Sequence, residues 1–298
     1  IGLGELLAMD YKEGFMIISE YDVSLKDISD EEIRFMGQMI AEDNVILFRD
    51  QNLKESDLVR ICGLMGKVQK TKAGFSKPDH PFTHPDYPEL IRVTNRREDG
   101  EKIGMFADKD LDWHHNGPAR SDHVECCVAL YCIEPGIDSI TSFCDVRQAY
   151  RDLPEDMKEI CDDVDCHYKF ENNTFYHIDE GDAELVIFED KKYYDKGAIK
   201  PLVYNHPFHE DRGLYFSHHF IKKMWRRSTD KFDENWLMKY LIKHVFQEKY
   251  IVHHDDWQPG DFLFMDQFHS LHKRNAVKGD RFFYRICLDY NNIRNKRV

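Results

Sequence analysis

Two short segments concentrate the residues that could do chemistry. Trp113-His114-His115-Asn116 stands before a strongly apolar run, and Asp266-Gln267-Phe268-His269-Ser270-Leu271-His272 follows another. Both put histidines at the ends of strand-like stretches, where the mouth of a β-rich core would gather them. A first-row metal with open coordination positions is served by two imidazoles and one oxygen ligand on one face, which leaves the other face for small co-reactants. The chain has 16 histidines, so most must be hydrogen-bonded or solvated, and structural imidazoles are the alternative reading of both segments. His253-His254-Asp255-Asp256 sits just before the turn-rich WQPGD and reads as a solvated loop rather than a metal cluster. His218-His219 has no evident role. The eight cysteines include no C-x-x-C, and several lie in apolar runs such as HVECCVALYC. They are expected to be reduced core residues, neither a zinc site nor a disulfide framework.

The elements that must position these residues are legible in outline. Ser29-Asp30-Glu31-Glu32 is a capping box ahead of a helix to about Asp43. Leu58, Ile61, Cys62 and Met65 share one face of a second helix stopped by Gly66. A third is predicted from Phe232 to Lys249, with Trp236, Leu237, Tyr240, Leu241 and Val245 on its apolar stripe. Short β-type runs fill the rest: VILF (45–48), IRVT (91–94), VECCVALYC (124–132), SITSF (139–143), LYF (214–216), FLFM (262–265) and RFFYRICLDY (281–290). These strands do not alternate with helices, which argues against a doubly wound parallel sheet. The expected class is α+β with a mainly β core, a double-sheet jelly roll (double-stranded β-helix) with flanking helices.

Composition narrows the function. With 42% hydrophobic, 13% aromatic and 32% charged residues, the chain is far too rich in Phe, Tyr and Trp for a disordered protein. No repeat or linker divides it, so a single domain over 1–298 is expected. The formal charge of −14 repels phosphate backbones and anionic lipid, so no nucleic acid and no membrane partner is expected; a small-molecule substrate is, and a homo-oligomer is compatible. No apolar run is long enough for a membrane span, and the opening IGLGELLAMDYKEG has no basic region before an apolar core, which predicts a cytoplasmic location.

From about Asp43 to Tyr290 the sequence resembles the TauD/TfdA-like superfamily of Fe(II)- and 2-oxoglutarate-dependent oxygenases. The likeness rests on DNVILFRDQNLKESDLVRICGLMGKV, the WHHN segment, GIDSITSFCDVRQAY, KPLVYNHPFHEDRGLYFS and WQPGDFLFMDQFHSLHKRNAV…RFFYR, all in family order. Carried over residue by residue, the resemblance makes His114 the first iron ligand of the H-x-D/E motif, Asn116 its third position and His272 the distal ligand. It assigns Thr141 and Arg281 to 2-oxoglutarate, a bidentate guanidinium being apt for a carboxylate. Arg285, four strand residues beyond Arg281 and on the same face, matches a position that touches the substrate's anionic group. Asp110 and Asp112 border the substrate pocket in relatives and would suit a cationic or amino-bearing substrate, a loop-capping role being the alternative. The implied reaction is oxidation of a C–H bond with succinate and CO2 as co-products.

Position 116 departs from the pattern, because the family carries Asp or Glu there. An amide can coordinate through its oxygen but brings no charge. Three readings stand: a weakened working iron site, a site altered to inactivity that leaves a non-catalytic or regulatory binding protein, and a third ligand supplied from elsewhere. Related halogenases have Gly or Ala at this position, which leaves room for a halide that Asn does not leave. Asn116-Gly117 is also a deamidation-prone pair, and deamidation would restore a carboxylate.

Overall fold

The computed structural model describes residues 18–69, 82–104, 110–119, 126–169, 196–207 and 211–289. The opening segment, on which the expected location partly rested, lies outside them. Helix α1 (Asp30–Asp43) starts at the capping box: Ser29 Oγ accepts the Glu32 N–H, and Glu32 accepts the Ser29 N–H at 2.7 Å. Helix α2 (Glu55–Met65) buries Leu58, Ile61, Cys62 and Met65 and stops at Gly66, where any Cβ would run into the Asp289 carbonyl. A side chain there would push the helix off the sheet it covers.

That sheet has seven strands: β1 (Ile18–Tyr21), β2 (Val45–Phe48), β3 (Lys67–Val68), β4 (Ile91–Thr94), β8 (Cys127–Glu134), β16 (Phe262–Asp266) and β18 (Phe282–Asp289), in the order β1-β2-β16-β8-β18-β3, with β4 also on β18. Only the β1–β2 pair is parallel. A four-stranded antiparallel sheet faces it: β7 (Leu111–His114), β9 (Thr141–Asp145), β15 (Ile251–His254) and β17 (Ser270–Arg274), in the order β15-β9-β17-β7. The period of two sorts side chains between layers. Val128, Leu130 and Cys132 of β8, Phe283 and Cys287 of β18 and Phe143 of β9 join one cluster between the sheets. Ala129, Tyr131, Phe282, Tyr284, Ile286 and Leu288 face the other way, onto α1 and α2. This is the expected jelly roll with flanking helices.

Outside the four-stranded sheet pack α3 (Val146–Arg151), α4 (Glu155–Asp162) and α5 (Glu234–Val245), with a sheet of β10 (Val164–Tyr168), β11 (Ala198–Pro201) and β14 (Ile221–Arg226). Two hairpins, β5 (Arg97–Glu98) with β6 (Glu101–Lys102) and β12 (Val203–Asn205) with β13 (Arg212–Leu214), and two 3-10 turns, His218–Phe220 and Glu248–Tyr250, complete the described elements. All eight cysteines are buried and unbridged. Among the described residues no helix is long and apolar enough to cross a membrane.

Several details correct the sequence reading. Helix α5 is shorter than 232–249, because Asp233 caps it at Trp236 N–H and Phe246 ends it. Its buried stripe is Leu237, Leu241 and Val245, while Trp236 is 48% exposed. The run LYF is not a strand as a whole: β13 ends at Leu214, and Tyr215 and Phe216 are buried in irregular chain. His253 and His254 end β15 rather than lying in a loop; His253, Asp255 and Asp256 are exposed as expected, but His254 is buried beside Asp256 at 3.2 Å.

Candidate metal centre

β7 and β17 bring the two histidine segments together. His114 lies opposite His272 in register, and their rings are 4.0 Å apart between centroids. The register then slips, so that Arg274 faces Leu111 and one extra residue of β7 is accommodated at Asp112–Trp113. Such a bulge re-aims side chains beside it. Here it turns the Asp112 carbonyl to accept a hydrogen bond from His114 Nδ1 at 2.7 Å. With Nδ1 as donor, Nε2 is the lone-pair nitrogen of the neutral ring, the arrangement metal-binding histidines commonly show. Burial pushes the His114 pKa down to about 4, with the charge of Arg285 adding to the effect. His272 is driven well down by burial and by His114 beside it. Both imidazoles are therefore neutral at neutral pH, the form that ligates.

Asn116 is half-buried two residues past the strand. Its backbone N–H donates to Gln267 Oε1 at 3.0 Å, and its amide nitrogen is turned to Cys287 Sγ at 4.0 Å. Gly117, which follows, takes φ 56°, so the chain turns there in a conformation suited to glycine. His115 points away from the imidazole pair. It stacks on Tyr215 (centroids 4.2 Å), and Ser217 Oγ meets both its backbone N–H and its Nδ1, at 2.9 and 3.0 Å.

A second group lies deeper between the sheets. Thr141 begins β9 opposite Arg274 and accepts the Trp257 indole N–H on Oγ1 at 3.1 Å. Arg281 is 2% exposed, its Cζ is 4.0 Å from the centre of the Phe283 ring, and its Nε and Nη1 meet no acceptor among the described residues. Burial and the neighbouring charge of Arg274 push its pKa down. A buried guanidinium with N–H groups left unpaired is costly, and a carboxylate is the apt partner for it. The residues present thus fit a dicarboxylate co-substrate. Arg285 lies two side-chain positions further along the same face of β18, close enough for its charge to act on both His114 and His272.

Asp110 is exposed just before β7. Asp112, rather than Asp110, makes the contacts at the mouth: its Oδ2 takes a hydrogen bond from His219 Nε2 at 2.6 Å, which holds its carboxyl well below the usual range. The rings of His218 and His219 lie 3.8 Å apart, so the pair without an evident role borders the mouth through Asp112. The sequence reading missed Arg274, Trp257 and Gln267. Arg274 had a readable signal, because it follows His272 by two strand residues and so shares its face. Trp257 and Gln267 sit in turns and had none.

Comparison with known proteins gives the arrangement its class. The chain is 24% identical over 255 residues to the α-ketoglutarate-dependent 2,4-dichlorophenoxyacetate dioxygenase of a Burkholderia species (strain RASC), covering 83% of this chain and 81% of that one. Its fold matches that of a taurine dioxygenase from Burkholderia xenovorans (TM-score 0.67, 18% identity, 92% of this chain and 88% of that one). It also matches AAD-2 in its complex with Mn(II) and N-oxalylglycine (TM-score 0.68, 17% identity, 93% of this chain and 95% of that one). Fold, site and relatives together define a 2-oxoglutarate-dependent dioxygenase, an enzyme that uses a metal ion and this keto acid. More narrowly, the chain belongs to the taurine catabolism dioxygenase TauD, TfdA family, whose model matches residues 11–287.

Proposed function

We propose that the protein is an Fe(II)-dependent oxygenase, one unit over its whole length, that oxidises a C–H bond of a small polar molecule and releases succinate and CO2. The single observation that carries this reading is Arg281, a buried guanidinium with two nitrogens, Nε and Nη1, that no acceptor among the described residues satisfies. His114, Asn116 and His272 are the proposed iron ligands. Thr141 and Arg281 are the proposed partners of the far carboxylate of 2-oxoglutarate. Bound iron and the keto acid supply oxygen activation, in which one oxygen atom goes to succinate and the other to the substrate.

The chain's own contribution is placement and exclusion. His114 and His272 meet the metal already neutral, so no proton has to leave them on binding. Arg281 binds the carboxylate as a fixed fork, and the Trp257 N–H holds the Thr141 hydroxyl so that its own proton is left to donate. Phe143, Trp257, Leu263, Met265 and Phe283 keep the inter-sheet space apolar, which strengthens each ionic contact made in it. Arg285 is the proposed anchor for an anionic end of the substrate, in keeping with the carboxylate in the name of the dichlorophenoxyacetate-oxidising relative. Asp110 is the proposed contact for a cationic or amino group at the mouth. Asn116 brings no charge, so the carboxylates of 2-oxoglutarate have more of the dication's charge to balance, and metal and keto acid should bind cooperatively.

The test is anaerobic loading with Fe(II) and 2-oxoglutarate. The coloured charge-transfer band of the ternary complex should appear, and keto-acid turnover should then rise with one member of a panel of carboxylates, amino acids, sulfonates and phosphonates. Absence of both iron uptake and the band would refute the reading.

A further inference from the structure

A second cluster of metal-binding side chains lies away from the His114–His272 pair. Asp266 ends β16, His269 sits in the turn to β17, and His206 follows β12, and their ligand atoms all lie within 4.8 Å of one another. Asp266 and His269 are fully buried and His206 is 4% exposed. His206 Nε2 is 3.1 Å from Asp266 Oδ2, and the His206 and His269 rings stack at 4.3 Å.

The carboxylate is held from below. Asp266 Oδ1 accepts the backbone N–H groups of Phe268 and His269 at 2.8 and 2.7 Å, which fixes Oδ2 on the side of the two rings. His269 is the informative member, because neither of its ring nitrogens has a partner among the described residues. Burial lowers its pKa to about 3, so it is a neutral ring carrying a lone pair. The packing around the turn is tight: a Cβ at Gly213 would lie 2.9 Å from the Phe268 carbonyl and 3.5 Å from His269 Cδ2. Arg147 and Asp211, the other charges acting on His269, form an ion pair at 3.9 Å and largely cancel.

We infer that His206, Asp266 and His269 form a second, structural site for a divalent transition cation, with zinc the best match to two imidazoles and one carboxylate. Tetrahedral bonds of about 2.05 Å put neighbouring ligand atoms roughly 3.3 Å apart, close to the His206–Asp266 separation, so only His269 has to draw in. The sidedness of the cluster suits a cation, since one carboxylate and two imidazole nitrogens converge, and a cation would take the place of the proton that His206 Nε2 shares with Asp266 Oδ2. Its position also couples it to the candidate iron site, because the turn that follows Asp266 carries Gln267, which holds the Asn116 backbone, and leads directly into β17, which carries His272. A cation here would pin that turn and so the spacing of the catalytic pair. This site does not depend on the proposed iron site or on the substrate.

The experiment is metal stoichiometry by mass spectrometry on the full chain, stripped with chelator, loaded with Zn(II) and desalted. Wild type should retain two equivalents. His269→Gln should retain one, and His114→Ala/His272→Ala should also retain one and show the strong visible absorption of four-coordinate Co(II) when cobalt replaces zinc. The double variant should further gain several degrees of melting temperature on adding Zn(II), a gain lost when His206→Gln is added to it. A wild-type stoichiometry that His269→Gln leaves unchanged, or a double variant that neither binds nor is stabilised by Zn(II), would overturn the inference while leaving the iron reading untouched.

Discussion

Replacing Arg281 by Met should have opposite effects on the two states of the protein. In the complex the guanidinium meets a carboxylate that Met cannot hold. Two charge-assisted hydrogen bonds are lost and a buried anion is stranded, which should weaken 2-oxoglutarate binding by about 3 kcal/mol, or roughly 150-fold. In the ligand-free protein, Nε and Nη1 are buried without acceptors. Their removal should return about 1–3 kcal/mol for each unsatisfied group, offset by the lost contact over Phe283 and by imperfect repacking. The unfolding free energy of the ligand-free variant should therefore stay within about 1 kcal/mol of wild type or rise above it. Calorimetric binding under anaerobic conditions reads the first effect and urea denaturation without ligand reads the second. A ligand-free loss of about 3 kcal/mol or more would mean that the guanidinium is already engaged in a buried ion pair and does not wait for a carboxylate. Unchanged affinity would refute its role from the other side.

Asn116→Asp should tighten Fe(II) binding by roughly tenfold or more and raise keto-acid turnover, since a carboxylate adds charge at the dication; it should also shrink the gain in metal affinity that 2-oxoglutarate gives wild type, and equal iron affinity in the two proteins would remove Asn116 from the coordination sphere. Thr141→Val leaves the buried Trp257 N–H without an acceptor, so it should cost about 1–3 kcal/mol of stability and also weaken 2-oxoglutarate binding; a stability loss with unaltered binding would make Thr141 structural only. Stability of the metal-free protein should fall with pH through a defined window. Burial lowers the His254 pKa from 6.5 to about 4 and the His269 pKa to about 3. The unfolded chain therefore takes up protons that the folded chain refuses, and stability is full above about pH 6.5 and declines toward pH 4. Denaturation midpoints that stay flat from pH 7 to about 4.5 would contradict those depressed values.

The parts of the fold that could be read were those whose signal is local. The capping box at Ser29 announces α1, and VILF and IRVT became strands with unchanged ends because turn residues bound their apolar runs. The sheet of β10, β11 and β14 went unread: Lys222 and Lys223 interrupt one strand and Lys200 another, and their pairing is set by residues far away in the chain. The facing of His114 and His272 was legible through the resemblance, but the bulge at Asp112–Trp113 that tunes it was not, because a slipped register leaves no mark on composition. Asp266 and His206 lie 60 residues apart, so no spacing rule joins them. The solvated reading of this stretch, His253-His254-Asp255-Asp256, failed at His254 alone, because charge in a short segment says nothing about which neighbour will cover a given side chain.

The alternation along β18 also bears on how the protein can change over generations. Arg281, immediately ahead of β18, and Phe283, Arg285 and Cys287 within it form one inward row whose spacing is set by the extended chain, with the two guanidinium-bearing residues roughly 13 Å apart. A slip of β18 by one residue would turn all four outward at once and bring Phe282, Tyr284 and Ile286 inward. On the proposed role of Arg281, choice of co-substrate is thus bound to the register of a central strand and cannot drift by small steps. Asp110 stands exposed on a connecting segment just before β7, where one residue can be exchanged without moving its neighbours. The same scaffold can hold its oxidant fixed while its taste in substrates wanders.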